Sequence, residues 1–579
     1  MMHAMINHLQ AARSELTAPG APFATEVIDV RGIPTTVFSV VPPTMRAMWE
    51  MAKAHADKTY LVYEDERYTY AQIDGDVRTL AQYLVDHGVA PGDRVAIAMR
   101  NYPEWVTAYW ATVCIGAAVV GMNAWWTTTE MEYGLQDSRP KVMIADDERI
   151  ERALPVLDGL RATAPLHVIA VRSNRALPAD SATWADVTAG VTPDSLPPTE
   201  IDPDDDACIF YTSGTTGFPK GAQLTHRGSV HNVFNIVFMT LANASAEAKA
   251  IAAGELTPKA GPAVAAAQNV FMAPTPLFHV TACNCILHPA TLSGGRVVLM
   301  YKWDPGRALE LIERERVTNF SGVPTMSREL LMHPDWETRD TSSMMGMGGG
   351  GAALQADLVD KIDGSLKHGA PSTGYGLTET HGIVTANSSR AFTAKPHSAG
   401  PVVPTLEAKL VDDEGNDLAA SADAVGQLCV RGAVIIKGYL NRPEATADAI
   451  REGWFNTGDI ARIDEEGFVY IVDRAKDMVL RGGENVYCSE VETVVYQHDA
   501  IAEAAVFGVP DERLGEAVAV AIVLRPGAEL TADELRDFLA QRIAKHKIPE
   551  RMWFLDEALP RNASGKFLKR ELRQQLTGS

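Results

Sequence analysis

"YTSGTTGFPKG", Tyr211 to Gly221, places four hydroxyl side chains, three glycines and one lysine in the ten residues after its tyrosine. Glycines let successive backbone N–H groups turn toward one point, hydroxyls add donors, and an ammonium group completes a cradle for phosphate oxygens. The spacing is G-x-x-G-x-x-K, which differs from the Walker A order of G-x-x-x-x-G-K followed by Ser or Thr. The stretch reads as a polyphosphate grip, and the segments around it must say which nucleotide chemistry it serves.

At 579 residues the chain is too long for one hydrophobic core, and an apolar share of 46% with 22% charged residues fits several globular domains. A net charge of −22 repels polyanions on average. Nucleic acid is therefore excluded as a partner, membrane contact is peripheral at most, and any phosphate site must be built locally. The six cysteines, at 114, 208, 283, 285, 429 and 488, lack CxxC spacing, as expected of a reducing compartment. "MMHAMINHLQAARSEL" has no basic segment ahead of a continuous apolar one, so no signal peptide is read and the expected location is cytoplasmic. The uncharged stretch Trp105 to Trp126 is long enough to span a bilayer. Its Thr107, Thr112, Gly116, Gly121 and Asn123 read better as a buried helix running into a buried strand.

Short apolar runs alternate with helical patterns: "RVAIAMRN" before a helix start at Pro103, "KVMIADD" at 141–147, "HVIAVRS" at 167–173 and "GGRVVLMYKWDP" at 294–305. Such alternation predicts α/β layers with buried strands. The Gly/Pro/Asp-rich run at 188–206 reads as a subdomain joint, and the Ala-rich 241–268 as a surface helix or insertion. Past about residue 470 the pattern changes. "AVAVAIVLRPG" at 517–527 reads as a strand, and Thr531 with Glu534 forms a capping box ahead of Leu535, Phe538, Leu539 and Ile543. A small C-terminal α+β domain is expected there.

Downstream of the grip, "STGYGLTET" (372–380) sets two glycines around Tyr375 and ends in a Thr-Glu pair. A carboxylate beside a phosphate site makes sense when a cation lies between them, which makes Glu379 a candidate Mg²⁺ ligand. Asp459 is a candidate acceptor for ribose hydroxyls, Gly482 and Gly483 permit close backbone approach, and "LPRNASGKFLKREL" presents Lys566 from a loop of small residues. Each of these alone has an ordinary reading as a turn, a solvated charge or a surface lysine.

Together and in this order they resemble the adenylate-forming superfamily of acyl-CoA synthetases, nonribosomal-peptide adenylation domains and firefly luciferase, over roughly residues 45–575. The resemblance implies a large, multi-subdomain α/β N-terminal domain that binds ATP and the acyl group (1–472), a hinge (473–477) and a small mobile α+β domain (478–579). It implies a reaction in two steps: a carboxylate attacks the α-phosphorus of Mg·ATP, expelling pyrophosphate, and the acyl-adenylate then meets a thiol. Residue by residue, it makes Thr212, Ser213, Gly214, Thr215, Thr216 and Lys220 the loop for the β and γ phosphates. Gly351, Ala352 and Ala353 line the adenine pocket, Tyr375 stacks on adenine, and Thr378 contacts the α-phosphate. Glu379 holds Mg²⁺, Asp459 and Arg474 bind ribose, Lys476 is the hinge residue, Lys566 the catalytic lysine, and Gly482 and Gly483 flank the CoA arm. Asp473 departs from the family's frequent glycine, which raises the expectation that it pairs with Arg474, and Ala353 stands where proline is common.

In "PLFHVTACNCILH", His279, Cys283, Cys285 and His288 invite a zinc reading, but H-x3-C-x-C-x2-H matches no common structural zinc module. The resemblance instead makes His279 a wall of the acyl pocket, and Phe234, Phe238, Val323 and Met326 are expected to line the rest. An ordinary apolar core would look the same. "PLFHV" with "YGLTET" points to the fatty-acid branch: a ligase for medium- or long-chain fatty acids using ATP, Mg²⁺ and CoA, with a homodimer left open. The alternatives are a ligase for a steroid side-chain or aryl acid and an adenylation enzyme that loads a carrier-protein thiol. A non-catalytic scaffold is disfavoured by the presence of Glu379, Asp459 and Lys566.

Overall fold

The computed structural model describes residues 2–212, 219–259, 268–412, 414–419, 421, 423–481, 484–562 and 565–578. The chain divides into two compact units, Met1–Glu407 with Val430–Phe455 and Ala408–Cys429 with Asn456–Ser579.

The first unit contains two large sheets. In the seven-stranded one the order is Lys220–Thr225, Asp206–Thr212, Ala118–Gly121, Arg94–Ala98, Val142–Asp146, His167–Val171 and Ser181–Thr183. All neighbours are parallel except the first pair. In the eight-stranded sheet a parallel core of Ala370–Tyr375, Gly346–Gly350, Asn319–Gly322, Val270–Ala273, Arg296–Leu299 and Thr59–Tyr63 is flanked by antiparallel outer strands, Thr385–Ser388 and Glu66–Thr69. The four apolar runs singled out above are strands of these sheets. Parallel strands are buried on both faces, which is why they read as continuous apolar runs.

The uncharged stretch from Trp105 resolves into the end of the helix Pro103–Cys114 and the buried strand Ala118–Gly121. Proline at the first turn and Glu104 near the helix N-terminus start that helix; its other residues are all buried. Among the described residues no helix is long and apolar enough to cross a membrane.

One expectation is corrected and another is refined. The run 188–206 is not a subdomain joint, because the strands before and after it, Ser181–Thr183 and Asp206–Thr212, belong to the same sheet. The part of the Ala-rich segment up to Ala252 is a helix with one exposed face, as read, but its other face is buried. It continues the helix His226–Ala252, whose Ala242, Ala246 and Ala250 are buried where the N-terminal helix Met2–Thr17 packs along it. Small side chains at those positions let the two helix axes approach, a packing role that composition alone does not distinguish from exposure.

The second unit carries a five-stranded sheet. Ile501–Asp511 pairs antiparallel with Gly515–Leu524, which also pairs with Arg551–Leu555 and Val479–Arg481, and the last pairs with Glu484–Val486. The helices Cys488–Val495 and Ala532–Ala540 pack Val491, Val495, Leu535 and Leu539 onto it. The capping box is formed as read: Thr531 Oγ1 accepts from Glu534 N at 3.3 Å, and Glu534 Oε2 accepts from Thr531 N at 2.9 Å. This is the expected α+β architecture.

Candidate active site

The antiparallel pair Asp206–Thr212 and Lys220–Thr225 sets Thr212 directly opposite Lys220. The two strands thus deliver both ends of the glycine-rich loop to one place; Ser213, Gly214, Thr215 and Thr216 lie outside the described residues. The Lys220 ammonium sits over the ring of Tyr439, 5.1 Å from its centroid, in cation–π contact. At the other end of that side chain the Tyr439 hydroxyl donates to Glu379 Oε1 at 2.9 Å. Burial, and then the charge of Glu379, push the Tyr439 phenol above its ordinary value, so it is a donor at neutral pH.

Tyr439 belongs to a short segment that clips two elements together. Ile436 N donates to Glu379 O at 3.0 Å, Lys437 N to Gln223 O at 3.0 Å, Gln223 N to Gly438 O at 2.9 Å and Leu440 N to Gly221 O at 2.8 Å. The strand after the grip and the 3-10 turn Thr378–Thr380 are therefore held in one register. His381 adds a second tie: its Nε2 accepts from Thr225 N at 2.8 Å, and its Nδ1 donates to Val434 O at 2.7 Å. That pattern fixes the neutral tautomer, and full burial lowers its pKa to about 3. Thr380 Oγ1 accepts from Leu377 N at 3.0 Å and closes the turn.

Glu379 Oε2 has no hydrogen bond or ion pair among the described residues. A hard anionic oxygen with no partner among the described residues is the kind of donor Mg²⁺ takes, so Glu379 fits that ion. Tyr375 ends the strand Ala370–Tyr375, and Gly351, Ala352 and Ala353 are exposed just beyond the end of its parallel neighbour Gly346–Gly350. Val323 follows the next strand, Asn319–Gly322, in the same direction. The carboxyl ends of parallel strands, where α/β sheets bind ligands, thus gather these positions.

His279 is half-buried, its ring 4.8 Å from that of Phe278. The loop that carries it is anchored by the buried Asn101, whose Nδ2 donates to Thr275 O at 2.9 Å while its Oδ1 accepts from Leu277 N at 2.9 Å. Cys283 and His288 are fully buried against each other, Sγ to Nε2 at 3.4 Å. Phe234 and Phe238 lie on the helix His226–Ala252 in an aromatic cluster with Phe23 and Phe38. Phe238 is fully buried, 5.5 Å from Phe23 and 5.4 Å from the Arg13 guanidinium. Val323 is buried, and Met326 packs partly buried in the helix Pro324–Met332.

In the second unit Asp459 and Arg474 face each other across two antiparallel strands, with Arg474 Nε 3.3 Å from Asp459 Oδ1. Asp473 does not pair with the Arg474 guanidinium. Its Oδ1 accepts from Arg474 N at 2.8 Å and its Oδ2 accepts from Cys488 N at the start of the helix Cys488–Val495, an arrangement that caps the helix. Burial raises its pKa to about 6. Lys476 lies in the turn after Arg474, and Gly482 and Gly483 lie outside the described residues.

Lys566 is half-buried on a loop braced at its base. Lys566 N donates to Asn562 Oδ1 at 2.9 Å, while Arg561 donates to Gly565 O at 3.0 Å and pairs with Glu503 at 2.7 Å. The other Glu503 oxygen accepts from Leu559 N at 2.8 Å. Tyr439, His381, Asn101, Glu503 and Arg561 escape a reading of the sequence because each acts on a partner more than fifty residues away.

A large α/β unit whose strand ends gather the two ends of a glycine-rich loop, Tyr375 and Glu379, together with a smaller α+β unit, is the fold class of the adenylate-forming enzymes. Residues 48–440 match the AMP-binding enzyme family and residues 490–566 the AMP-binding enzyme C-terminal domain. A long-chain-fatty-acid–CoA ligase of Bacillus subtilis is 33% identical over 91% of this chain and 93% of its own length. A feruloyl-CoA synthase of Amycolatopsis is 35% identical over 88% and 94%. Among solved structures, ATP-bound MatB from Rhodopseudomonas palustris superposes with a TM-score of 0.76 at 28% identity, covering 91% of this chain and 98% of that one. The chain belongs to the AMP-binding enzyme family and is an acyl-CoA synthetase, an AMP-forming acid–thiol ligase.

Proposed function

We propose that this enzyme activates a medium- or long-chain fatty acid with ATP and Mg²⁺ and transfers the acyl group to CoA, in the cytoplasm. The observation that carries the reading of the site is the placement of Lys220 and Glu379 at opposite ends of one buried tyrosine. In the first step a carboxylate oxygen attacks the α-phosphorus and pyrophosphate leaves. The acid is already ionised at neutral pH, so alignment and charge neutralisation carry this step rather than proton transfer. Lys220, with Thr212, Ser213, Gly214, Thr215 and Thr216, holds the departing phosphates. Thr378 meets the α-phosphate, and Tyr375 with Gly351, Ala352 and Ala353 receives adenine. Glu379 would hold Mg²⁺, which when bound would offset the negative charge that gathers on the phosphates.

The roles in the second unit follow the same logic. Asp459 and Arg474, already aligned across their strands, bind the ribose hydroxyls. Lys566 places an ammonium at the α-phosphate during adenylation and is withdrawn when the C-terminal residues 478–579 turn about Lys476, so that Gly482 and Gly483 flank the pantetheine arm. The CoA thiol then attacks the acyl carbonyl and AMP leaves.

His279, with Phe234, Phe238, Val323 and Met326, is assigned to the acyl side. A second reading, an aryl acid, is favoured by the relatives named feruloyl-CoA synthase and 4-coumarate–CoA ligase, at 35% and 33% identity. Pyrophosphate exchange over a panel of acids tests the choice. A fatty-acid tunnel should gain up to about 0.8 kcal/mol per buried CH₂ until it is full. If benzoate or cinnamate derivatives outrun every acid of about eight carbons or more, the aryl reading replaces the fatty-acid one.

A further inference from the structure

Lys220 and Glu379 carry opposite charges at the heart of the site, yet among the described residues neither makes an ion pair. Tyr439 stands between them, 9% exposed. Its ring face takes the ammonium at 5.1 Å, and its hydroxyl takes the carboxylate at 2.9 Å. The tyrosine is itself fixed: its backbone N donates to Thr446 Oγ1 at 2.9 Å, and it forms an antiparallel bridge with Ala222, two residues along the strand from Lys220. A direct contact between ammonium and carboxylate would neutralise both groups and would have to be broken before either met a ligand.

We propose that Tyr439 is a positioning residue that keeps Lys220 and Glu379 apart, each charged and ready, so that a metal–nucleotide complex meets an unpaired ammonium and a carboxylate oxygen already aimed. The proposal rests on the reading of Glu379 as the metal-holding carboxylate. The two ends of the side chain have separable duties. The hydroxyl orients Glu379 and governs the metal, whereas the ring parks Lys220 and governs the phosphates.

Calorimetric titration of ATP into the full chain without any acid, once with Mg²⁺ and once with EDTA, separates these duties, since no turnover occurs. Tyr439→Phe keeps the ring and the packing and removes only the hydroxyl. It should cut the gain in ATP affinity that Mg²⁺ confers by about tenfold, as losing a hydrogen bond to a charged group does. ATP affinity in EDTA should stay within about twofold of the parent, because the ring contact remains. In a Glu379→Gln background the same substitution should change the Mg²⁺ gain no further, because the hydroxyl then has no carboxylate to aim. Tyr439→Leu should in addition weaken ATP binding in EDTA. A full Mg²⁺ gain in Tyr439→Phe, or an equal loss with and without the Glu379 carboxylate, overturns the proposal. The ligase reading is tested separately by acid-dependent pyrophosphate exchange in the parent, whose absence overturns that reading alone.

Discussion

Gly376 lies in the turn that carries Thr378 and Glu379, and a Cβ built on it would sit 1.6 Å from Gly382 O. Real Cβ atoms essentially never approach a heavy atom closer than 3.0 Å, so Gly376→Ala must part these two backbone points by at least 1.4 Å. The far side of the turn has little room to yield, because His381 is bonded to both Thr225 and Val434. The displacement therefore falls on Thr378 and Glu379, and a misplacement of about 1 Å costs roughly 10²-fold in rate when alignment carries the chemistry. Gly374, two residues earlier, is the control. A Cβ there meets Ile383 Cγ2 at 3.4 Å, an ordinary contact. Pyrophosphate–ATP exchange should fall by about 10²-fold or more in Gly376→Ala and stay within about threefold in Gly374→Ala, with unchanged far-ultraviolet circular dichroism in both. Equal exchange rates in the two variants would refute the claim that the turn's backbone position sets the rate.

Lys566→Ala should lower acid-dependent exchange by about 10²-fold, the usual result of removing one electrostatic stabiliser, and should slow thioester formation from supplied acyl-adenylate far less. Equal losses in both half-reactions would count against a lysine that serves adenylation alone. Stability should also fall with acid. His226 and His231, with pKa values lowered by burial to about 4, and His288 and His381, lowered to about 3, stay neutral in the fold and protonate near 6.5 once unfolded. The unfolded chain thus binds more protons in that window. Stability is complete above pH 6.5 and is lost as pH drops toward 4, by up to about 1.4 kcal/mol per pH unit for each histidine. Denaturant midpoints that do not move between pH 7.5 and 5 would contradict this.

Local patterns carried much of the fold into view. Buried parallel strands read as apolar runs, and the capping box at Thr531 needed only residues three apart. The glycine- and hydroxyl-rich loop, Glu379 and Lys566 stand out because each sits in a dense local motif, and the roles proposed for them rest on those motifs. What stayed hidden depends on contacts distant in sequence. Nothing near "IIKGYLNRPEAT" announces that Tyr439 will meet Glu379 sixty residues earlier. The alanines at 242, 246 and 250 look like any exposed helix until the N-terminal helix covers them. Asp473, read as a partner for its neighbour's guanidinium, found a helix N-terminus fifteen residues on.

The central claim is that this chain joins an acid to AMP before any thiol takes part. It is tested most directly by incorporation of labelled pyrophosphate into ATP by the parent enzyme without CoA. Incorporation should require a carboxylic acid and proceed without CoA, with AMP and acyl-CoA appearing only when CoA is added. Incorporation that needs no acid, or that appears only with CoA present, would contradict it.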